Sequence, residues 1–463
     1  MMFVGRQKEL KKLNQLYQTD LFQFPVIYGR RRVGKTALIN EFIKDKEAIY
    51  FTGVETNEKQ NLENFSRSIM SYAAGMEDAP VFASFQSALE YVFQMSREKR
   101  IILVIDEYPY VAKASKSLAS TLQMLIDQNK DSSKLFLILC GSSMSFMENH
   151  VLAYKAPLYG RRTAQFKIQP FDFFEASAYF KAFSHEDMAL IYGITGGTPQ
   201  YLLQMNDTLS IEDNIKNTFL NPTSFLFEEP TNLLKQEVRE QAVYNAIISA
   251  IAGGASKMSE ISTKVGEPTS VCAAYIKNLI SLGIVKKELP FGETSSRRTI
   301  YLIEDNMFRF WYRFVPDNMA SITRDMPDIA YRKIEPMLPG FMGAVFEEIC
   351  KQYLWKQLQD GKAAIDFTDI GRWWGTDPKA RKQVEIDILG TADEHTALFG
   401  ECKWTNEKVD SGVLETLTEH SKLFHFTENH FYLFAKTGFT EGCVQLAEKL
   451  GNVELVKFEE IIA

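Results

Sequence analysis

Cysteine is scarce and scattered. Its five positions in 463 residues, Cys140, Cys272, Cys350, Cys402 and Cys443, include no CxxC pair. An odd, dispersed set excludes a disulfide scaffold and offers a zinc cluster no ligand spacing, so reduced thiols are expected. No apolar run approaches the ~20 residues that a membrane-spanning helix needs. The opening stretch MMFVGRQKELKKLNQLY is charged too early for a signal peptide, and the expected setting is cytoplasmic, with no membrane partner. Positive charge is not in excess either. Lys and Arg number 52 against 59 Asp and Glu, a net charge of −7. Whole-molecule attraction to nucleic acid is thereby excluded, and any such binding needs a local patch. The six histidines are dispersed and read as solvated or core residues. Internal repeats and low-complexity tracts are absent.

What is present is ordinary globular composition, 45% hydrophobic and 24% charged, in a chain long enough for about three domains. Short β-branched runs at residues 24–28, 48–51, 101–105 and 135–140 alternate with helical periods at 37–44 and 85–98. Buried strands alternating with helices predict a parallel α/β sheet. Helical patterns follow around 171–180, with a Gly-Gly-Thr-Pro break at 196–199. Turn signals at 221–223 and 229–231 suggest a boundary near 230–240.

Gly29 to Thr36 fits GxxxxGK[ST], between a buried strand and an amphipathic helix. Backbone N–H groups of such a loop close around phosphates, and the helix N-terminus adds its dipole. Lys35 supplies a cation to the terminal phosphates and the Thr36 hydroxyl a ligand for Mg²⁺. The strand 101–105 delivers two acids, Asp106 for the metal and Glu107 to polarise an attacking water. Arg30, Arg31 and Arg32 crown the loop, either in solvent or against a partner or nucleic acid.

Five ordered motifs in the first half carry a resemblance. They are Phe3-Val-Gly5-Arg6, Tyr28 to Thr36, Leu137 to Ser143, Pro157 to Thr163, and Gly196 to Leu202. Together they resemble archaeal-type P-loop ATPases of the STAND/AAA+ group. The resemblance implies ATP as cofactor, bound by Gly29, Arg30, Arg31, Arg32, Val33, Gly34, Lys35, Thr36 and Ala37. It also implies that Gly5 and Arg6 lie near the base and that Ser142 or Ser143 senses the γ-phosphate. Arg161 or Arg162 reaches a phosphate, in cis or from a neighbouring subunit, and Pro199 presses on the adenine from a helical lid.

Residues 259–266 and 270–283 read as two helices joined by a turn, and 284–302 as a hairpin, a pattern that resembles a winged helix-turn-helix. Lys286, Lys287, Arg297 and Arg298 would face phosphates if it reads DNA. Lys277 is the only base between Ser270 and Ser281, which favours a rigid interdomain module instead.

Further on, Glu347 lies on a helical stretch, Asp387 sits inside an apolar strand, and Glu401-Cys-Lys403 ends the next strand. Period-two alternation puts Glu401 and Lys403 on one face. An aspartate between Ile386 and Ile388 is costly to bury without a metal or a hydrogen-bond donor. The set resembles the PD-(D/E)XK phosphodiesterase fold. That resemblance implies a second divalent metal on Glu347, Asp387 and Glu401, with Lys403 catalytic beside it. Trp373, Trp374 and Trp404 stack on bases or fill core.

The expected architecture is α/β: a P-loop core over 1–165, a helical lid over 166–238, a winged-helix module over 239–306 and a restriction-endonuclease-like domain over 307–463. The expected function is an ATPase whose nucleotide state gates a metal-dependent endonuclease acting on DNA. The alternative is a nucleotide-controlled scaffold or DNA-binding regulator, with a protein partner or homo-oligomer and no cleavage.

Overall fold

The computed structural model describes residues 3–75, 80–295 and 297–462. The chain forms two compact units, Met1–Phe171 with Thr198–Gln200, and Asp172–Gly197 with Tyr201–Ala463. The expected segments 166–238, 239–306 and 307–463 thus fall almost entirely in the second unit. No described helix is long and apolar enough to cross a membrane.

The first unit is built on a five-stranded parallel sheet: β1 (Pro25–Tyr28), β2 (Ala48–Thr52), β3 (Ile102–Asp106), β4 (Phe136–Gly141) and β5 (Ala164–Lys167), in the order β2-β3-β4-β1-β5. Every residue of β1, β3 and β4 is buried. Helices cover both faces, so Leu103, Ile105, Leu137 and Leu139 enter one apolar core while Ile102, Val104, Ile138 and Cys140 enter the other. Each such side chain contributes about 1.5–3 kcal/mol when fully buried. That sum outweighs the ~1 kcal/mol of a helix cap and fixes which residues reach the strand ends. β5 escapes the sequence pattern because AQFK is short and alternates half-buried with exposed positions.

The second unit holds a two-stranded antiparallel hairpin and a mixed sheet. The hairpin, β6 (Val285–Glu288) and β7 (Ile300–Ile303), follows the helices Gln241–Ala252, Met258–Val265 and Thr269–Ser281. The mixed sheet comprises β8 (Asp369–Asp377), β9 (Lys382–Thr391), β10 (Thr396–Lys403), β11 (Glu428–Ala435) and β12 (Val453–Lys457), in the order β12-β11-β10-β9-β8. β8, β9 and β10 are antiparallel neighbours, whereas β10, β11 and β12 run parallel. The two parallel connections carry the helices Ser411–Ser421 and Glu441–Leu450, as parallel crossovers require. Contrary to the turn reading of 229–231, Pro230 lies inside the helix Phe225–Glu237. Burial of Leu226, Leu233 and Leu234 on that helix offsets the one backbone bond that proline forfeits.

The hairpin is tied to β8. Phe291 N donates to Arg372 O at 2.9 Å, and Trp374 Nε1 donates to Arg298 O at 3.2 Å. Arg298 in turn donates to Trp374 O at 2.5 Å and pairs with Glu293. A guanidinium held this way is a strut within the unit, tying the hairpin to β8.

Candidate nucleotide site and carboxylate–lysine site

β1 delivers the chain into the loop 29–34, and the helix Lys35–Ile43 takes it away. Gly29 has φ +153°, and a Cβ there would come within 2.3 Å of Ile168 O, so no side chain fits. Gly34 has φ +89° and starts the helix from a left-handed conformation. Lys35 is only 6% exposed. Its Nζ donates to Gly29 O at 2.9 Å and Arg30 O at 2.8 Å, folding the side chain over its own loop. Burial lowers its pKa, against the opposing pull of Glu107 and Asp106.

Asp106 is the last residue of β3, one further than the apolar run suggested. Its Oδ2 accepts from Thr36 Oγ1 at 3.1 Å and from Tyr50 OH at 2.7 Å, and its Oδ1 accepts from Glu107 N at 2.9 Å. A hydroxyl and a carboxylate meeting at this distance suit Mg²⁺, which takes one or two protein oxygens and keeps its waters. Glu107 turns the chain at φ 48°. Its Oε2 accepts from Ser142 Oγ at 2.8 Å. Ser143 instead precedes the short helix Met144–Phe146.

The remaining expected residues divide. Arg6, 4% exposed, donates to Val33 O at 2.9 Å and Gln169 O at 2.5 Å, with its guanidinium 4.5 Å from the Phe171 ring centre. Gly5 backs onto the same ring. Both therefore brace the loop from behind. Arg30 donates to Thr198 Oγ1 at 2.8 Å and Arg31 to the Tyr110 hydroxyl at 2.8 Å. Arg32 adopts φ 73°, and its carbonyl accepts from Gln200 N at 3.4 Å. Pro199 Cγ lies 3.6 Å from where a Gly34 Cβ would stand. The Thr198–Gln200 segment thus covers the loop crest, while Ala37 is exposed on the helix's first turn. Arg161 is drawn elsewhere, donating from Nε and Nη2 to the two oxygens of Asp127 at 2.9 and 2.6 Å. Arg162 sits over the Tyr159 ring at 5.6 Å, with its Nη1 buried and unpartnered among the described residues.

Sequence reasoning missed Tyr50. Its hydroxyl is held on Asp106, and burial first, then the Asp106 charge, raises its pKa. The signal was available in register: Tyr50 and Thr52 stand opposite Val104 and Asp106.

In the second unit, Asp387 lies on β9, Glu401 and Lys403 on β10, and Glu347 on the helix Leu338–Gln359. The β9–β10 ladder runs to Gly400 opposite Ile388, where the Asp387 carboxylate takes over and accepts from Cys402 N at 2.9 Å. That N–H gives the half-buried aspartate one donor. Lys403 Nζ donates to Glu401 Oε1 at 2.5 Å. Burial, reinforced by the Asp387 charge, pushes both Glu347 and Glu401 up to about 7. Asp387 is raised too, chiefly by burial, with the Cys402 N–H opposing. The four expected residues therefore interact electrostatically. Yet among the described residues no group of three or more His, Cys, Asp or Glu side chains is gathered to hold a metal ion. Of the expected trio Glu347, Asp387 and Glu401, Glu401 pairs through one oxygen with Lys403.

Trp404 packs against Phe346 and Phe458 with centroids 5.1 and 5.0 Å apart, and Trp373 against Phe424 at 4.9 Å. Trp404 is core, and the half-buried Trp373 packs against the apolar cluster of the sheet. Arg372 pairs with Glu385.

Residues 3–205 match an ATPase domain found predominantly in Archaea. Residues 311–414 match a domain described from archaeal and bacterial proteins of unknown function. An uncharacterized protein of Methanocaldococcus jannaschii is 34% identical over 409 residues, 88% of each chain. An uncharacterized ATP-binding protein of Pyrococcus abyssi is 25% identical over 257 residues, 46% of this chain and 74% of that one. A solved Walker-type ATPase of Pyrococcus abyssi shares the fold with a TM-score of 0.53 at 18% identity, over 67% of this chain and 96% of that chain. Identity of this extent over most of both chains, together with the two domain matches, makes the chain a member of the archaeal-type P-loop ATPase family that joins this ATPase domain to a C-terminal domain of unknown function.

Proposed function

We propose that this cytoplasmic chain binds ATP with Mg²⁺ at the 29–37 loop and hydrolyses it. The observation that carries the reading is the convergence on Asp106 of Thr36, Tyr50 and the Glu107 backbone, with Lys35 poised over the loop. Lys35 would exchange its two carbonyl partners for the β- and γ-phosphates. Thr36 and Asp106 would hold the metal, which when bound neutralises charge on the phosphoryl oxygens. Glu107 would orient and polarise the attacking water, and Ser142, now on Glu107, would turn to the γ-phosphate and report its loss. Arg162, with an Nη1 unpartnered among the described residues, suits a finger better than Arg161, which must first leave Asp127. The test is phosphate release alongside calorimetric ATP binding. Glu107→Gln should bind ATP and fail to turn it over, whereas Lys35→Ala should lose both. Unchanged turnover in both variants would sink the proposal.

A second reading concerns output: nucleotide state gates a nuclease-like C-terminal domain that acts on DNA. The feature favouring it is Glu401 and Lys403 on one strand face beside Asp387. Lys403 would stabilise negative charge developing on a phosphodiester. The rival is a scaffold that binds DNA, a protein partner or its own copies without cutting. Plasmid and single-stranded DNA are incubated with Mg²⁺ or Mn²⁺, with and without ATP. Cleavage lost in Lys403→Ala and altered in Lys35→Ala supports gating. Intact ATP turnover with no cleavage under any condition supports the scaffold.

A further inference from the structure

β2 ends the strand order of the first unit's sheet. Glu47 O accepts from Ile102 N at 3.0 Å, and Gly53 N donates to Asp106 O at 2.8 Å. In a parallel ladder these two bonds set the parity. Residues 47, 49, 51 and 53 turn their backbone groups toward β3, and Ala48, Tyr50 and Thr52 turn theirs to the open edge. The strand reads AIYFT, with no charge, proline or glycine to blunt that edge. The opposite edge differs, since β5 ends in Lys167, paired with Glu148 at 3.3 Å. Beside β2 runs a cavity of about 540 Å³, whose far wall is Asn64, Arg67, Ser68, Ser71 and Tyr72 of the helix Glu58–Ala74.

We propose that this groove takes an extended segment of a partner protein as a sixth strand, paired with Ala48, Tyr50 and Thr52 and carrying a carboxylate opposite Arg67. The backbone edge supplies affinity, as in strand addition generally, and the wall supplies choice. Arg67 is exposed and makes no ion pair among the described residues, so an acidic side chain completes it. A second copy of this chain suits the groove poorly, because a two-fold β2–β2 pairing brings both Arg67 side chains to one seam. The neutral wall of Asn64, Ser68 and Ser71 accepts polar side chains without desolvating a fixed charge. This inference does not depend on the activity proposed above.

The test uses the full chain and a fluorescein-labelled heptapeptide, Thr-Val-Thr-Glu-Thr-Val-Thr, followed by anisotropy. Saturable binding is expected, weakened at least ~10-fold when alternate peptide amides are N-methylated, a change that leaves the protein untouched. Arg67→Glu, on an exposed helix position, should weaken this peptide ~10-fold and strengthen its Lys-centred counterpart, with the thermal midpoint unmoved. Absence of saturable binding, or binding indifferent to N-methylation and to Arg67→Glu, would overturn the proposal. So would a concentration-dependent doubling of mass that Thr52→Pro removes, which would assign the edge to a second copy.

Discussion

The two candidate sites manage buried charge in opposite ways. Around the phosphate loop, each charge is met by backbone or hydroxyl groups fixed by the fold: Lys35 by two carbonyls, Asp106 by two hydroxyls and an N–H. At the ends of β9 and β10, carboxylates crowd one another. Lys403, Arg372, Lys351, the Cys402 N–H and added protons relieve them. The first site is preorganised by geometry and the second is conditional on what neutralises it. Mutation should therefore test the former and pH the latter.

The largest effect is expected at the preorganised site. Lys35→Ala removes the loop cation proposed to meet the terminal phosphates and should lower ATP turnover on the order of 10²–10³-fold, as loss of a fixed transition-state donor does. Glu107→Gln should cost ~10²–10⁴-fold in kcat with little change in nucleotide affinity, the signature of a lost general base. Steady-state phosphate release with parallel calorimetry separates the two. Equal loss of affinity in both variants would erase the contrast between binding and chemistry.

The conditional site should respond to pH instead. Glu347 and Glu401 titrate near 7 in the folded chain against an ordinary value of 4.5. A folded-state acid raised this way holds its proton where the unfolded chain has lost it. The unit's stability should therefore fall as pH rises from about 4.5 to about 7, then level off. Thermal midpoints across that window check the sign, and Glu401→Gln, which carries no titrating group, should flatten the slope. A midpoint that instead climbs between pH 5 and 7 in the wild type would show that cations, not protons, balance these carboxylates.

The same contrast explains what sequence could disclose. The loop 29–36 is contiguous, and its chemistry is written in one stretch whose buried flanking strands announce themselves by β-branched runs. The carboxylate set comes from three distant fragments. Strand parity placed Glu401 with Lys403 and Asp387 beside them, but not the Cys402 N–H that donates to the aspartate, because backbone partners carry no residue signature. β8 was illegible for a related reason. Its DIGRWWGTD mixes charge, glycine and tryptophan, with a register shift between Gly371 and Trp373, and shows no apolar alternation. Tyr50 was missed because an aromatic in a buried strand looks like core until its neighbour strand is known.

A smaller effect sharpens the comparison inside the second unit. Arg298→Ala removes a donor to Trp374 O and the Glu293 pair, and should destabilise by about 1–2 kcal/mol in urea unfolding. If the hairpin were an open DNA-contacting wing, the variant would instead leave stability intact and weaken duplex binding.

The smallest effect belongs to Arg161, at the rim of the first unit. Its bidentate pair with Asp127 is partly exposed, at 25% and 46% for the two side chains, and holds Asp127 below the usual carboxylate range. Arg161→Ala should cost no more than ~1 kcal/mol of stability, since such pairs are screened by solvent. Its effect on turnover then decides whether the preorganised site is complete within one chain. A finger supplied by a neighbouring subunit would show as turnover per chain that rises with protein concentration in the wild type and stays flat in Arg161→Ala. With Arg162 as the finger, Arg161→Ala turns over like wild type and Arg162→Ala drops ~10³-fold or more. Measuring both variants across concentration separates an arginine that props the surface from one that completes the chemistry.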